Sequence, residues 1–163
     1  MTDEEVVALY ERSVDPLYRY ATRLTGGDRA WADELVQETY LQLVRRLRSG
    51  PPFQPDTGWL IVSCRHRFLD QLKQDRRRRE RERHDVLPAA DVTAGEAGDG
   101  ALTAALGQLP PDQRVALVLR YVDELSVPDV ARELGRSVHA TESLLARARA
   151  ALRAVMSDGV GDG

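Results

Sequence analysis

Apolar residues recur every three or four positions through most of this chain, and that spacing restricts it to helices packed through one apolar face. Val6, Leu9, Tyr10, Val14, Leu17, Tyr18, Ala21 and Leu24 share such a face. They predict a helix from Val6 to about Leu24, which Pro16 should kink or restart and Gly26-Gly27 should end. Asp28 is placed to cap a second helix reaching about Arg48, with Trp31, Leu35, Val36, Tyr40, Leu43, Val44 and Leu47 inward. Ser49-Gly50-Pro51-Pro52 stops it. After the loop from Phe53 to Gly58, a third helix is expected from Trp59 to about Arg83, with Leu60, Val62, Phe68, Leu69 and Leu72 as its apolar positions.

The pattern then lapses. Residues 85–100 are rich in Ala, Gly and Asp, carry few apolar side chains and show no period, so they read as a flexible linker. Periodicity resumes with a short helix at Ala101–Leu106 and another at Gln113–Val122, opened by Pro110-Pro111-Asp112. Ser126 to Asp129 has capping-box spacing ahead of a helix that ends near Leu134. Ser137 is placed to cap a last helix, Val138 to about Val155. The expected fold is all-α: a domain at 1–84, the linker at 85–100, a second domain at 101–156 and a disordered tail at 157–163.

Composition narrows the chemistry. The chain has 163 residues, 30% of them charged and 6% aromatic, with Arg far outnumbering Lys. The formal net charge of −3 confines any nucleic-acid site to a local patch. Cys64 is alone, reads as a small buried apolar residue, and allows no internal disulfide. No P-loop, GxSxG or HExxH occurs, and His66, His84 and His139 lack metal-ligand spacing, so neither an enzyme nor a cofactor is expected. The acidic start Thr2-Asp3-Glu4-Glu5 is unlike a signal peptide, and no apolar run approaches the ~20 residues of a membrane span; a cytoplasmic protein is expected.

Three features could carry binding. Residues 126–153 fit a helix-turn-helix: Ala131 is small, Gly135 suits the turn, and Val130, Leu134, Thr141 and Leu144 can pack between the helices. His139, Glu142, Ser143, Arg147 and Arg149 would then face outward, either as a recognition helix in a major groove or as the solvated side of an ordinary helical hairpin. The run Arg76-Arg77-Arg78-Arg79 with Arg81 and Arg83 extends a helix already carrying Arg65, His66, Arg67 and Lys73. Alone it reads as a solvated helix end; beside Phe53 it suits melted DNA, where bases stack and phosphates meet Arg. Trp59 and Phe68 read more readily as core. Asp33, Glu34, Gln37 and Glu38 form an acidic and polar stripe, either solvated or a dock for a basic partner.

In that order the motifs resemble the sigma-70 superfamily of RNA polymerase sigma factors. Asp33-Glu34-Leu35-Val36-Gln37-Glu38-Thr39-Tyr40 looks like region 2.2. Trp59 through Leu72 and the Arg run looks like regions 2.3 and 2.4. Leu109 to Tyr121 resembles region 4.1 and Ser126 to Arg153 region 4.2. Nothing resembles regions 1.1 or 3, which is the pattern of the small extracytoplasmic-function (ECF) type. The resemblance implies that Asp33, Glu34, Gln37, Glu38 and Leu41 dock on the β′ clamp helices of core polymerase. It implies that Phe53, Trp59, Arg65, His66, Lys73, Arg76 and Arg77 meet the −10 element. It places Ser137, His139, Ala140, Thr141, Glu142, Ser143, Arg147 and Arg149 at the −35 element, with the second domain on the β flap. Promoter DNA and core polymerase are the implied partners, an anti-sigma factor is a further candidate, and no membrane is involved.

Two positions depart from the pattern: His66 stands where relatives often have Asn, and Glu142 where they often carry a basic residue. Two other readings fit part of the sequence. An autonomous helix-turn-helix regulator explains 126–153 but leaves the acidic stripe unused; a polymerase-binding protein that reads no DNA explains the stripe alone.

Overall fold

The structure, a computed structural model, describes residues 1–82 and 99–160. They are helical, and no strand occurs among them. Two compact units are present: one of Met1–Thr22 and Arg29–Leu87, the other of Arg23–Asp28 and Pro88–Gly163. Most of the expected linker lies outside the described residues.

The first unit is built on α1 (Asp3–Thr25), α2 (Arg29–Ser49) and α3 (Thr57–Glu82). Helix α1 begins before the apolar run that predicts it. Thr2 Oγ1 accepts from the Glu5 N–H at 3.2 Å, and Glu5 Oε2 accepts from the Thr2 N–H at 2.7 Å. This reciprocal cap satisfies two end donors and moves the start to Asp3. Pro16 does not restart the helix, which continues through it to Thr25. Burial of Leu9, Leu17, Tyr20 and Ala21 on one face offsets the one backbone bond a proline removes.

Ala32, Leu35, Val36 and Leu43 of α2 join the apolar core with Leu60, Cys64, Phe68 and Leu69 of α3. The Trp31 ring lies 5.0 Å from that of Phe68, and its Nε1–H donates to Gln71 Oε1 at 2.7 Å, so this indole packs without leaving its polar end unsatisfied. Ser13 and Tyr40 share a hydroxyl hydrogen bond of 2.7 Å between α1 and α2.

The second unit holds α4 (Asp99–Gly107), α5 (Pro111–Leu117), α6 (Val127–Leu134) and α7 (Val138–Val160). The expected regular helix to Val122 gives way after Leu117 to a wider π turn, Val118–Val122, closed by the Asp123 N–H on the Val118 carbonyl at 3.0 Å. That extra residue per turn leaves Tyr121 and Val122 exposed, while Val118 and Leu119 stay buried. Ala116, Leu144 and Leu145 centre the core, with Val127 and Leu134 packed on it. The tail expected from Ser157 is corrected as far as Val160: α7 continues through it, since adding residues to a formed helix needs no new nucleus.

Candidate polymerase and promoter interfaces

Helix α2 turns Ala32, Leu35, Val36, Thr39 and Leu43 inward. At 3.6 residues per turn this leaves Asp33, Glu34, Gln37 and Leu41 together on the exposed face. Glu38 differs from its neighbours. It is half-buried and pairs with Arg67 Nη2 of α3 at 3.0 Å, so its carboxylate is already engaged within the unit. Asp33 accepts a hydrogen bond from the Tyr18 hydroxyl; burial, then the Asp33 charge, raise that phenol above its ordinary value. The stripe is therefore a carboxylate pair and an amide beside an exposed leucine, a surface suited to a basic partner with an apolar contact.

Between α2 and α3 the chain folds around Phe53. The Arg46 guanidinium carbon sits 4.9 Å over the Phe53 ring centre, and the Trp59 ring lies 5.3 Å away, tilted by 56°. Pro55 is buried, and Asp56 Oδ1 caps α3 by accepting from the Trp59 N–H at 2.7 Å. From Trp59 onward, His66, Asp70, Lys73 and Arg77 fall within an arc of about 60° around the α3 axis. The last four are exposed, as are Val62, Arg76 and Arg78. The side chain of Arg79 lies outside the described residues. Arg65 is corrected: it is 8% exposed and buried in the unit, unlike the exposed His66, Lys73, Arg76 and Arg77 with which it was grouped. Sequence reading missed Val62 and Asp70. The first was taken for core, and the second shows its position between His66 and Lys73 only once the helix face is drawn.

The helix-turn-helix is closed by backbone geometry. Ser126 Oγ accepts from the Asp129 N–H at 3.2 Å, but the Asp129 carboxylate turns to Arg132 at 2.7 Å, so only half of the expected box forms. Gly135 takes φ +66°, the Arg136 N–H reaches the Ala131 carbonyl at 2.9 Å, and the Gly135 N–H reaches that of Arg132 at 3.3 Å, a Schellman ending. Ser137 Oγ accepts from the Ala140 N–H at 3.1 Å and so caps α7.

His139, Glu142, Ser143 and Arg147 are exposed on α7, and Ala140 is half-buried. Two expected contacts are corrected. Thr141 is fully buried and its hydroxyl donates to the Ser137 carbonyl at 2.8 Å. Arg149 leans to the other edge of the helix, where Nη1 donates to the Tyr121 hydroxyl at 3.1 Å. There it rims an apolar groove of about 380 Å³ lined by Leu102, Leu106, Leu117, Val118, Tyr121, Val122, Leu152 and Arg153. The groove was not legible in the sequence, because the π turn that opens it has no simple periodic signature.

A helical unit with an acidic face and a basic helix, followed by a helix-turn-helix unit, matches two regions of the sigma-70 superfamily in order. The family model "Sigma-70 region 2" matches residues 9–78, and "Sigma-70, region 4" matches residues 99–152. ECF RNA polymerase sigma factor EcfG of Rhodopseudomonas palustris is 35% identical over 152 residues, covering 88% of this chain and 81% of that protein. BldN, an ECF sigma factor of Streptomyces coelicolor, is 31% identical over 158 residues, 92% of this chain and 60% of its own length. SigE of Mycolicibacterium smegmatis is likewise covered over 59% of its length, so the chain spans about three fifths of these two relatives. Among solved structures, the ECF sigma factor SigJ of Mycobacterium tuberculosis is 30% identical with a TM-score of 0.57, covering 90% of this chain and 52% of that one. RpoE of Bartonella quintana, solved with the anti-sigma factor NepR, is 22% identical with a TM-score of 0.60, covering 91% and 94%, a likeness of fold. The chain belongs to the ECF family of RNA polymerase sigma factors.

Proposed function

We propose that this chain binds core RNA polymerase in the bacterial cytoplasm and directs it to promoters with −10 and −35 elements, doing no bond chemistry itself. Asp33, Glu34, Gln37 and Leu41 dock on the β′ clamp helices, with Glu38 held back by Arg67. Phe53, Trp59 and His66 receive an unstacked base of the −10 element, while Lys73, Arg76 and Arg77 hold the nearby phosphates. Extruding a base costs a few kcal/mol, which stacking and a fitted pocket offset. The α7 face of His139, Glu142, Ser143 and Arg147 reads the −35 major groove. Arg147 serves phosphate, and Glu142 can accept from a cytosine amino group. Ser137 and Ala140 hold the helix start that brings this face to DNA. The apolar groove between Leu102 and Leu152, with Arg149 and Arg153 on its rim, takes the β flap.

Two weak contacts in one chain gain affinity through effective concentration. An anti-sigma factor covering the α2 stripe is a further partner; the RpoE relative was solved with such a protein. The observation that carries the reading is the presence in one chain of the exposed α2 stripe and the capped helix-turn-helix. A DNA-binding regulator has no use for the first, nor a polymerase decoy for the second.

The test is transcription in vitro from a fragmented genomic library by bacterial core polymerase, with and without this protein, mapping transcript starts. Discrete new starts that share two elements at fixed spacing are expected. Co-purification with core without new starts would favour the decoy; neither result would favour an autonomous DNA-binding regulator.

A further inference from the structure

The loop between α2 and α3 contains an arrangement that base capture alone does not explain. Arg46 belongs to α2, yet its guanidinium leaves the helix and lies over the Phe53 ring, 4.9 Å from its centre. Gly50 makes this possible: a Cβ there would collide with the Arg46 guanidinium, so the missing side chain is the space the cation occupies. The Gly50 N–H also donates to the Arg46 carbonyl at 3.0 Å, which fixes the turn beneath it. Phe53 also meets Trp59, the first aromatic of the α3 face, at 5.3 Å. Asp56 ties the loop to that same residue through the Trp59 N–H at 2.7 Å. The phenyl ring thus contacts both a cation and an indole, and it is only half-buried.

A phenylalanine in a loop flanked by Pro51, Pro52 and Pro55 has no helix to hold its ring in place. A planar guanidinium over its face restricts it, through attraction to the ring quadrupole. We propose that Arg46 is the positioning residue for base capture: it holds Phe53 against Trp59 as a preformed platform for the unstacked −10 base. This rests on the sigma-factor reading and deepens it. Arg46 does not touch the base; it lowers the ordering cost of the ring that does. A planar group is required, so a lysine, which presents a compact point charge, is a poor substitute.

The experiment uses full-length protein with core polymerase on a promoter obtained from mapped starts. Permanganate reactivity of −10 thymines reports opening, and core binding is measured separately. Arg46→Ala should slow opening by about three- to tenfold while core binding and thermal unfolding stay close to wild type. Arg46→Lys should be slowed similarly, with an unchanged dependence on salt. Phe53→Ala should be slowed at least as much, and adding Arg46→Ala to it should cost nothing further.

Rescue by lysine together with a reduced salt slope would make Arg46 a phosphate contact and overturn the proposal. An undiminished Arg46→Ala effect in the Phe53→Ala background, wild-type opening by Arg46→Ala, or a slow rate that tracks lost thermal stability would also overturn it. No opening by the wild-type protein on any mapped or library promoter would remove the sigma reading itself, and this proposal with it.

Discussion

Single residues decide where the helices start and stop. Gly135 closes the helix-turn-helix at φ +66°, and a Cβ there would meet nothing within 4 Å. Gly135→Ala therefore pays only for backbone strain, with no clash, and should destabilise the second unit by about 1 kcal/mol, read by urea unfolding. Glu5 shows the same logic with charge. The backbone N–H of Thr2 lowers its pKa below the ordinary value of 4.5. A carboxylate with a lowered folded-state pKa contributes stability above its ordinary pKa and loses it as pH falls through the lowered one. The first turn of α1 should accordingly lose amide-exchange protection below about pH 4.5, and Glu5→Gln should make that protection insensitive to acid. Retention of the acid response in Glu5→Gln would show that another group controls the turn.

Elements differ in which of their polar side chains are already engaged. On α2, Asp33 is bonded to Tyr18 and Glu38 to Arg67, which leaves Glu34 as the carboxylate whose reversal tests docking with least disturbance of the fold. Glu34→Lys should weaken core-polymerase binding about tenfold with unchanged circular dichroism, in the range of a disrupted interfacial charge contact. Unchanged binding would show that another face docks. On α7, Arg147 and Arg149 are two residues apart and stand on opposite edges. Arg147→Ala should lower initiation from promoters that depend on the −35 element and spare those that do not. Arg149→Ala loses the Tyr121 bond and should act through the apolar groove, weakening core association without changing which promoters are chosen. An identical promoter profile for the two variants would place both on one surface.

At the scale of the whole molecule, charge limits what the chain does alone. With a net charge of −3 and exposed cations spread over several helices, the densest run being Lys73 to Arg78 on α3, the free protein should bind random duplex DNA weakly. At about 150 mM salt a gel-shift or anisotropy titration should show no retention at low micromolar protein, whereas the complex with core should bind promoter fragments. Tight binding of random duplex by the free chain would favour the autonomous regulator. No helix among the described residues is long and apolar enough to cross a membrane.

Much of this was legible before any coordinates. The three- and four-residue periodicity, the Gly26-Gly27 and Pro51-Pro52 breaks, and the caps at Ser126 and Ser137 determined the helices, because each acts within a few residues along the chain. The order of the acidic stripe, the basic run and the helix-turn-helix was enough to point to the family. Tertiary structure alone decided which side chains on those helices are free. Arg65, Thr141 and Glu38 have the right type and spacing for binding, but neighbouring helices bury or engage them. The π turn that exposes Tyr121, the groove it borders and the Arg46–Phe53–Trp59 contacts likewise depend on contacts between elements. Local sequence sets backbone conformation through short-range sterics and hydrogen bonds; exposure and pairing are properties of the packed unit.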